Sequence, residues 1–268
     1  MRRVIALVAE SHFHYFHWTF DVLPAMRLIE RAGLLEPGVP VLLPPLTRPF
    51  HRAMLRALPI LARHPIIELR PGEVVAAEEV VLGYLTSGPR GVSAWAIDFL
   101  REQFAGLMVA DPSAPRRLFL SRRNVLARQL DNEREVEEAL AQRGFVSVAP
   151  DTLSWVEQMK LFAGAEVMIG VHGTAFTNAI ASPPRAVLGE IFAPDYFDLA
   201  FHHIARARGF RYGAFRAQSG VARGQQGGSM RVDVDRLMAW VDRLLEGGGA
   251  NRVSAGGVGV AAVRPPLE

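Results

Sequence analysis

From Arg117 onward, short apolar runs alternate with amphipathic stretches, and that alternation restricts the possible folds more than any other feature of the chain. Leu118–Leu120, Phe145–Val148, Val167–Gly170, Val187–Ile191 and Tyr212–Phe215 read as strands, recurring every two dozen or so residues. Helical patterns fall between them. Asp131 is placed to cap a helix reaching about Gln142, with Glu133 and Glu135 in its first turn and Gly144 at its end. Ser154 and Glu157 have the spacing of a capping box for a helix ending near Phe162. Repeats of this kind close through right-handed crossovers, so the expected product is a parallel, Rossmann-type sheet.

The first half is similar in kind, with apolar runs at Val4–Val8, Val39–Leu43, Ile66–Leu69 and Val80–Leu85 and helical patterns at Trp18–Arg31, Phe50–Leu58 and Val92–Phe104. Pro24 marks a kink or a helix start. Ala110–Pro115 has the composition of a linker. The expected architecture is α/β, with residues 1–110 and residues 111–217 as two domains facing a cleft, the second of them Rossmann-like. Residues 218–268 are expected to be a Gly-rich segment with one helix around Val234–Leu245 and a disordered tail.

Composition excludes several chemistries. With no cysteine, the chain has no disulfide framework, no thiolate nucleophile and no cysteine-ligated zinc. It contains a single lysine, Lys160, so its high pI reflects arginine, and those arginines are scattered rather than interleaved with aromatics as a nucleic-acid face requires. No nucleic-acid partner is expected. No apolar run approaches the length of about 18 residues that spans a membrane, and Val4–Ala9 is too short for a secretion signal. The chain reads as soluble and suited to a cytoplasm, with peripheral membrane contact available through basic patches.

Three clusters carry candidate chemistry. In Glu166–Asn178 an apolar strand runs into a His172-Gly173 turn and a small-residue helix, a place where α/β proteins hold phosphate. Ser121-Arg122-Arg123 follows a parallel strand of the same domain; two guanidinium groups there suit a diphosphate, and a solvated surface pair is the alternative. Asn132 opens the next helix. Near the start, His12, His14, His17 and Asp21 lie among Phe13, Tyr15, Phe16, Trp18 and Phe20. If this segment is helical, His17 and Asp21 share a face, giving a general base with an orienting partner. An aromatic core helix and a metal site are the other readings.

His17-Trp18-Thr19-Phe20-Asp21-Val22-Leu23-Pro24, Leu118-Phe119-Leu120-Ser121-Arg122-Arg123, Asn132-Glu133, Asp151 with Ser154 and Glu157-Gln158, and Gly170-Val171-His172-Gly173 with Asn178 occur in an order that resembles glycosyltransferase family 61, whose bacterial members are often described as capsular polysaccharide biosynthesis proteins. The resemblance runs from about His14 to Tyr196. It implies a GT-B-like pair of Rossmann-type domains facing a cleft, and inverting transfer from a nucleotide-sugar, usually a UDP-sugar, with neither cofactor nor metal. It also implies a glycan or lipid-linked glycan as acceptor. By position, Ser121, Arg122, Arg123, Asn132, His14, His172, Gly173, Thr174 and Asn178 would serve the donor, and Asp21, then His17, would be the base beside the acceptor.

The chain departs from the family pattern at His14, often Asn, and at Thr174-Ala175-Phe176, often Ala-Gly-Leu; the bulkier Phe176 bears on donor preference. It also starts only a few residues before the first motif, so part of the usual N-terminal region is expected to be missing. Two alternatives follow: a catalytically degenerate nucleotide- or glycan-binding relative, and a metal-dependent hydrolase built on His12, His14 and His17.

Overall fold

The computed structural model describes residues 1–9, 11–83, 87–88, 91–221 and 228–247. Two parallel sheets form its frame. The first contains β1 (Arg3–Ala6), β2 (Val41–Leu43), β3 (Ile66–Glu68) and β4 (Glu79–Leu82) in the order β3-β2-β1-β4. The second contains β5 (Arg117–Leu120), β6 (Val146–Val148), β7 (Val167–Val171), β8 (Val187–Phe192) and β9 (Arg211–Arg216) in the order β9-β8-β7-β5-β6. β7 and β8 are buried along their whole length, which is why they read as nearly continuous apolar runs, broken only by Glu190 in β8, rather than alternating ones. Each sheet has one point where the strand order reverses, between β1 and β4 and between β5 and β7.

Leu118 and Leu120 of β5 face a hydrophobic cluster that also takes in Ile5, Leu7 and Val41 of the first sheet and Trp155, Met159 and Phe162 of the Trp155–Gly164 helix. That cluster joins the two halves. Phe119, pointing the other way, packs in a second cluster with Ile169, Ile191 and the C-terminal helix Val234–Glu246. Trp240 of that helix fills the groove left by Gly189, where an added Cβ would meet the indole at 2.8 Å. The expected disordered tail, residues 248–268, lies outside the described residues.

The Trp18–Arg31 pattern does not form one helix. Tyr15–His17 is a short α-helical turn, Trp18–Val22 is a π-helix, and an α-helix restarts at Ala25–Arg31. Pro24 is the cause: it has no N–H to donate to Phe20 O, and its ring would strike that carbonyl in an α-helix. The wider turn, closed by Leu23 N to Trp18 O at 3.2 Å, accommodates it. Asp131 does not cap the next helix either. Its N–H is held extended by Met230 O at 2.8 Å, so the helix spans Glu133–Ala141 with Asn132 at its N-cap position. The Ser154–Glu157 capping box forms in full, with Glu157 N donating to Ser154 Oγ and Ser154 N to Glu157 Oε2.

His51, fully buried in the Pro49–Arg56 helix, accepts from Arg48 N at Nδ1 (3.2 Å), and its Nε2 lies 3.1 Å from His12 O. Only a neutral ring fits that pair of bonds, and burial, then nearby positive charge, holds its pKa below the ordinary 6.5. His202, whose Nδ1 is buried without a partner, is depressed by burial too. For such groups the unfolded chain takes up protons first as pH falls, so stability present above 6.5 is lost below it. The melting temperature is therefore expected to fall between pH 7.5 and 5, about as steeply as two buried histidines require, and His51→Gln should flatten the profile.

Candidate active site

The turns after β5, β6 and β7 rise from one edge of the second sheet and, with two segments of the first half, enclose a cleft of about 510 Å³. Ser121, Arg122, Val125 and Arg128 follow β5; Thr174 and Ala175 follow β7. Asp151, Ser154, Trp155 and Gln158 come from the segment after β6, and Tyr15, Arg48 and Phe50 close the opposite wall. This is the carboxyl edge of a parallel sheet at its reversal of strand order, where loops diverge and leave a crevice for ligands.

Three guanidinium groups, those of Arg48, Arg122 and Arg128, line the cleft against one carboxylate, that of Asp151. The lining is therefore electropositive. Arg122 donates from Nε and Nη2 to Ala127 O at 3.2 and 2.9 Å, closing the turn on itself. Burial, followed by the like charge of Arg128, lowers its pKa to about 10. It stays a cation at neutral pH while poorly hydrated, the condition in which a guanidinium grips an anion most strongly. Next to it the small-residue helix forms as a 3-10 helix, Thr174–Ala181, and its first amides lack intrahelical acceptors.

Gly173 makes that approach possible. Its φ of 177° is extended backbone open to any residue, but a Cβ there would occupy the space taken by Arg122 Nη1. Gly173→Ala is expected to displace the guanidinium and weaken nucleoside diphosphate binding by about tenfold, read by calorimetry on a variant of unchanged circular dichroism.

A hydrogen-bonded chain ties the two halves behind the cleft. Trp155 Nε1 donates to Tyr15 OH at 3.0 Å, Tyr15 OH donates to Asn178 Oδ1, Asn178 Nδ2 to Gln158 Oε1 at 2.7 Å, and Gln158 Nε2 to Leu153 O at 3.1 Å. Burial pushes the Tyr15 phenol pKa up, so it remains a donor. Asn178, fully buried, is thus committed to the wall.

Two histidine–carboxylate pairs flank this region. His17 Nδ1 lies 2.7 Å from Asp21 Oδ2, with the imidazole 41% exposed and the carboxylate 6%. His14 stands beside it, ring centroids 6.1 Å apart; its partial burial, then the charges of His17 and Arg48, hold its pKa down. The second pair is buried: His172 Nδ1 lies 2.7 Å from Glu190 Oε1, and Glu190 Oε2 accepts from Tyr212 OH at 2.8 Å. Burial raises the Glu190 carboxyl pKa against the pull of His172 and Tyr212. Phe192, Tyr196 and Phe201 pack round the His172 ring.

Among the described residues no three His, Cys, Asp or Glu side chains form a group able to hold a metal, which removes the ligand set of the hydrolase alternative. His12 faces Ala9 O at 3.0 Å instead. Nor, among those residues, is any helix long and apolar enough to cross a membrane.

Residues 15–189, more than half the chain, match the family model of Glycosyltransferase 61. The chain belongs to glycosyltransferase family 61. Membership implies glycosyltransferase activity, with a sugar donor and a glycan acceptor. A comparison with curated proteins found no match.

In this family 61 chain the cleft gathers Ser121, Arg122 and Thr174, with Gly173 under Arg122. Other expected donor residues lie elsewhere. Arg123 turns away to Ser121 Oγ at 2.9 Å, Ser147 Oγ at 3.1 Å and Glu137. Asn132 is buried against Val232, donating to its carbonyl at 2.9 Å and accepting from its N–H at 3.2 Å, and so fastens the C-terminal segment. His14, His172 and Phe176 are not among the lining residues, and Phe176 is fully buried against Phe201. Arg48 and Arg128 were missed. The Arg48-Pro49 pair was a legible helix start; nothing local pointed to Arg128.

Proposed function

We propose that this family 61 chain is an inverting glycosyltransferase that moves a sugar from a nucleotide-sugar, most simply a UDP-sugar, to a glycan or lipid-linked glycan in bacterial surface or capsular polysaccharide synthesis. In this reading it works in the cytoplasm, in peripheral contact with the membrane, and its two sheets act as GT-B-like halves without a metal or cofactor. The observation that carries the reading is the arginine-lined cleft at the strand-order reversal of the second sheet, capped by the start of the 3-10 helix. A departing diphosphate is stabilised there by guanidinium charge and backbone amides, the work a divalent cation does elsewhere.

The exposures favour His17 as the base and Asp21 as the group that orients it, reversing the order expected from sequence. His17 takes the proton of the acceptor hydroxyl as its oxygen bonds to the anomeric carbon. The bond from that carbon to the diphosphate breaks with its electrons leaving on oxygen, and the configuration inverts. Thermal-shift titration with UDP, GDP, CDP and UDP-sugars, with and without EDTA, tests the reading. Stabilisation by a diphosphate that survives EDTA is expected; no response to any nucleotide, or a response abolished by EDTA, overturns it.

A further inference from the structure

Arg128 differs from every other cleft residue in how it is held. Its φ is 56°, in the left-handed region that residues with a Cβ seldom occupy. Its Nε is buried without a hydrogen-bond partner, and its guanidinium lies over the Tyr196 ring, 5.0 Å from the centroid. Tyr196 in turn packs on His172, ring centroids 5.3 Å apart. The chain thus accepts a left-handed backbone and an unpartnered nitrogen in order to bring a second cation to the wall that already holds Arg122. The like charge of Arg128 depresses the Arg122 pKa, after the larger effect of its burial. An arrangement that costs the free protein stability at a ligand site is characteristic of a group shaped for its ligand.

The turn itself supports this. Arg122 clamps Ala127 O through Nε and Nη2, and Ala127 is the residue immediately before Arg128. The two arginines are therefore the ends of one closed turn, and the first fixes the backbone from which the second projects. A single phosphate needs one such fork; a pyrophosphate offers two sets of non-bridging oxygens, one for each of a pair of them.

Building on the donor-site reading above, we infer that Arg128, seated on Tyr196, is the residue that makes the cleft select a nucleoside diphosphate over a monophosphate, Arg122 and Arg128 each taking one phosphate. The left-handed backbone aims the fork, and Tyr196 holds it by cation–π attraction and a side-chain hydrogen bond, leaving its remaining N–H groups for the anion.

Calorimetric titration of the wild type, Arg128→Gly, Arg128→Lys and Tyr196→Leu with UDP and UMP, GDP and GMP, and CDP and CMP tests the inference. The wild type is expected to prefer one diphosphate to its monophosphate by at least about tenfold. Arg128→Gly should erase that preference by weakening the diphosphate alone, with monophosphate affinity changed less than about twofold and a melting temperature no lower than wild type, because glycine relieves the left-handed strain. Arg128→Lys and Tyr196→Leu should fall between. A wild type that binds diphosphate while Arg128→Gly keeps the full preference, or loses both nucleotides equally, overturns the role of Arg128 and leaves the donor site standing. A wild type that binds no nucleotide overturns the donor-site reading and this inference with it.

Discussion

Arg122→Ala is expected to weaken nucleoside diphosphate binding by roughly a hundredfold, the effect of losing about 3 kcal/mol of charge-assisted hydrogen bonds. Two consequences of its geometry combine. The guanidinium is removed from the electropositive wall, and the clamp on Ala127 O that fixes the Arg122–Arg128 turn goes with it. The Arg122→Ala and Arg128→Ala effects should therefore add to less than their sum in the double variant, since the second arginine is already misaimed when the first is gone. Isothermal titration calorimetry on all three measures this directly. Simple additivity would mean that the turn keeps its shape without the clamp.

The second large effect concerns turnover rather than binding. His17→Ala and Asp21→Asn are expected to lower kcat by about 10² to 10⁴, the usual range for losing a positioned general base, with donor affinity changed by less than about threefold. The separation follows from position: neither residue lines the arginine cleft, and the pair shares its own 2.7 Å contact on the segment after β1. The half-exposed His17 tolerates truncation without disturbing the core, so its variant is the cleaner test. Steady-state kinetics alongside calorimetry would separate the two quantities. Unchanged turnover in both variants would place the base elsewhere, and a wild type that binds donor without any turnover would fit the catalytically degenerate alternative.

Local sequence carried much of the fold because the physics involved is local. The apolar runs at β5, β7 and β8 are buried over their full length, and the Ser154–Glu157 box and Gly144 mark helix boundaries through bonds made within a few residues. Expectations failed where a distant partner intervened. Asp131 lost its capping role to a strand 99 residues later, through Met230 O, and Pro24 turned an expected helix into a π-turn and a restart.

At the site the same division holds. The pairing of His17 with Asp21 was legible because both lie on one helical segment, four residues apart, and Ser121 and Arg122 were legible because they end a strand of a parallel sheet. Asn178 and His172 were expected at the donor, yet their side chains bond to Tyr15 and Gln158 in one case and to Glu190 in the other, and neither lines the cleft. Sequence alone determined the α/β class, the strand order along the chain and the chemical types gathered near the cleft, because periodicity and capping are properties of neighbours. Only the tertiary structure decided which side chains face the cleft, that Arg48 and Arg128 join Arg122 there, and that the Arg122 guanidinium takes the space a Cβ at position 173 would need, because each depends on segments far apart in sequence packing within a few ångströms.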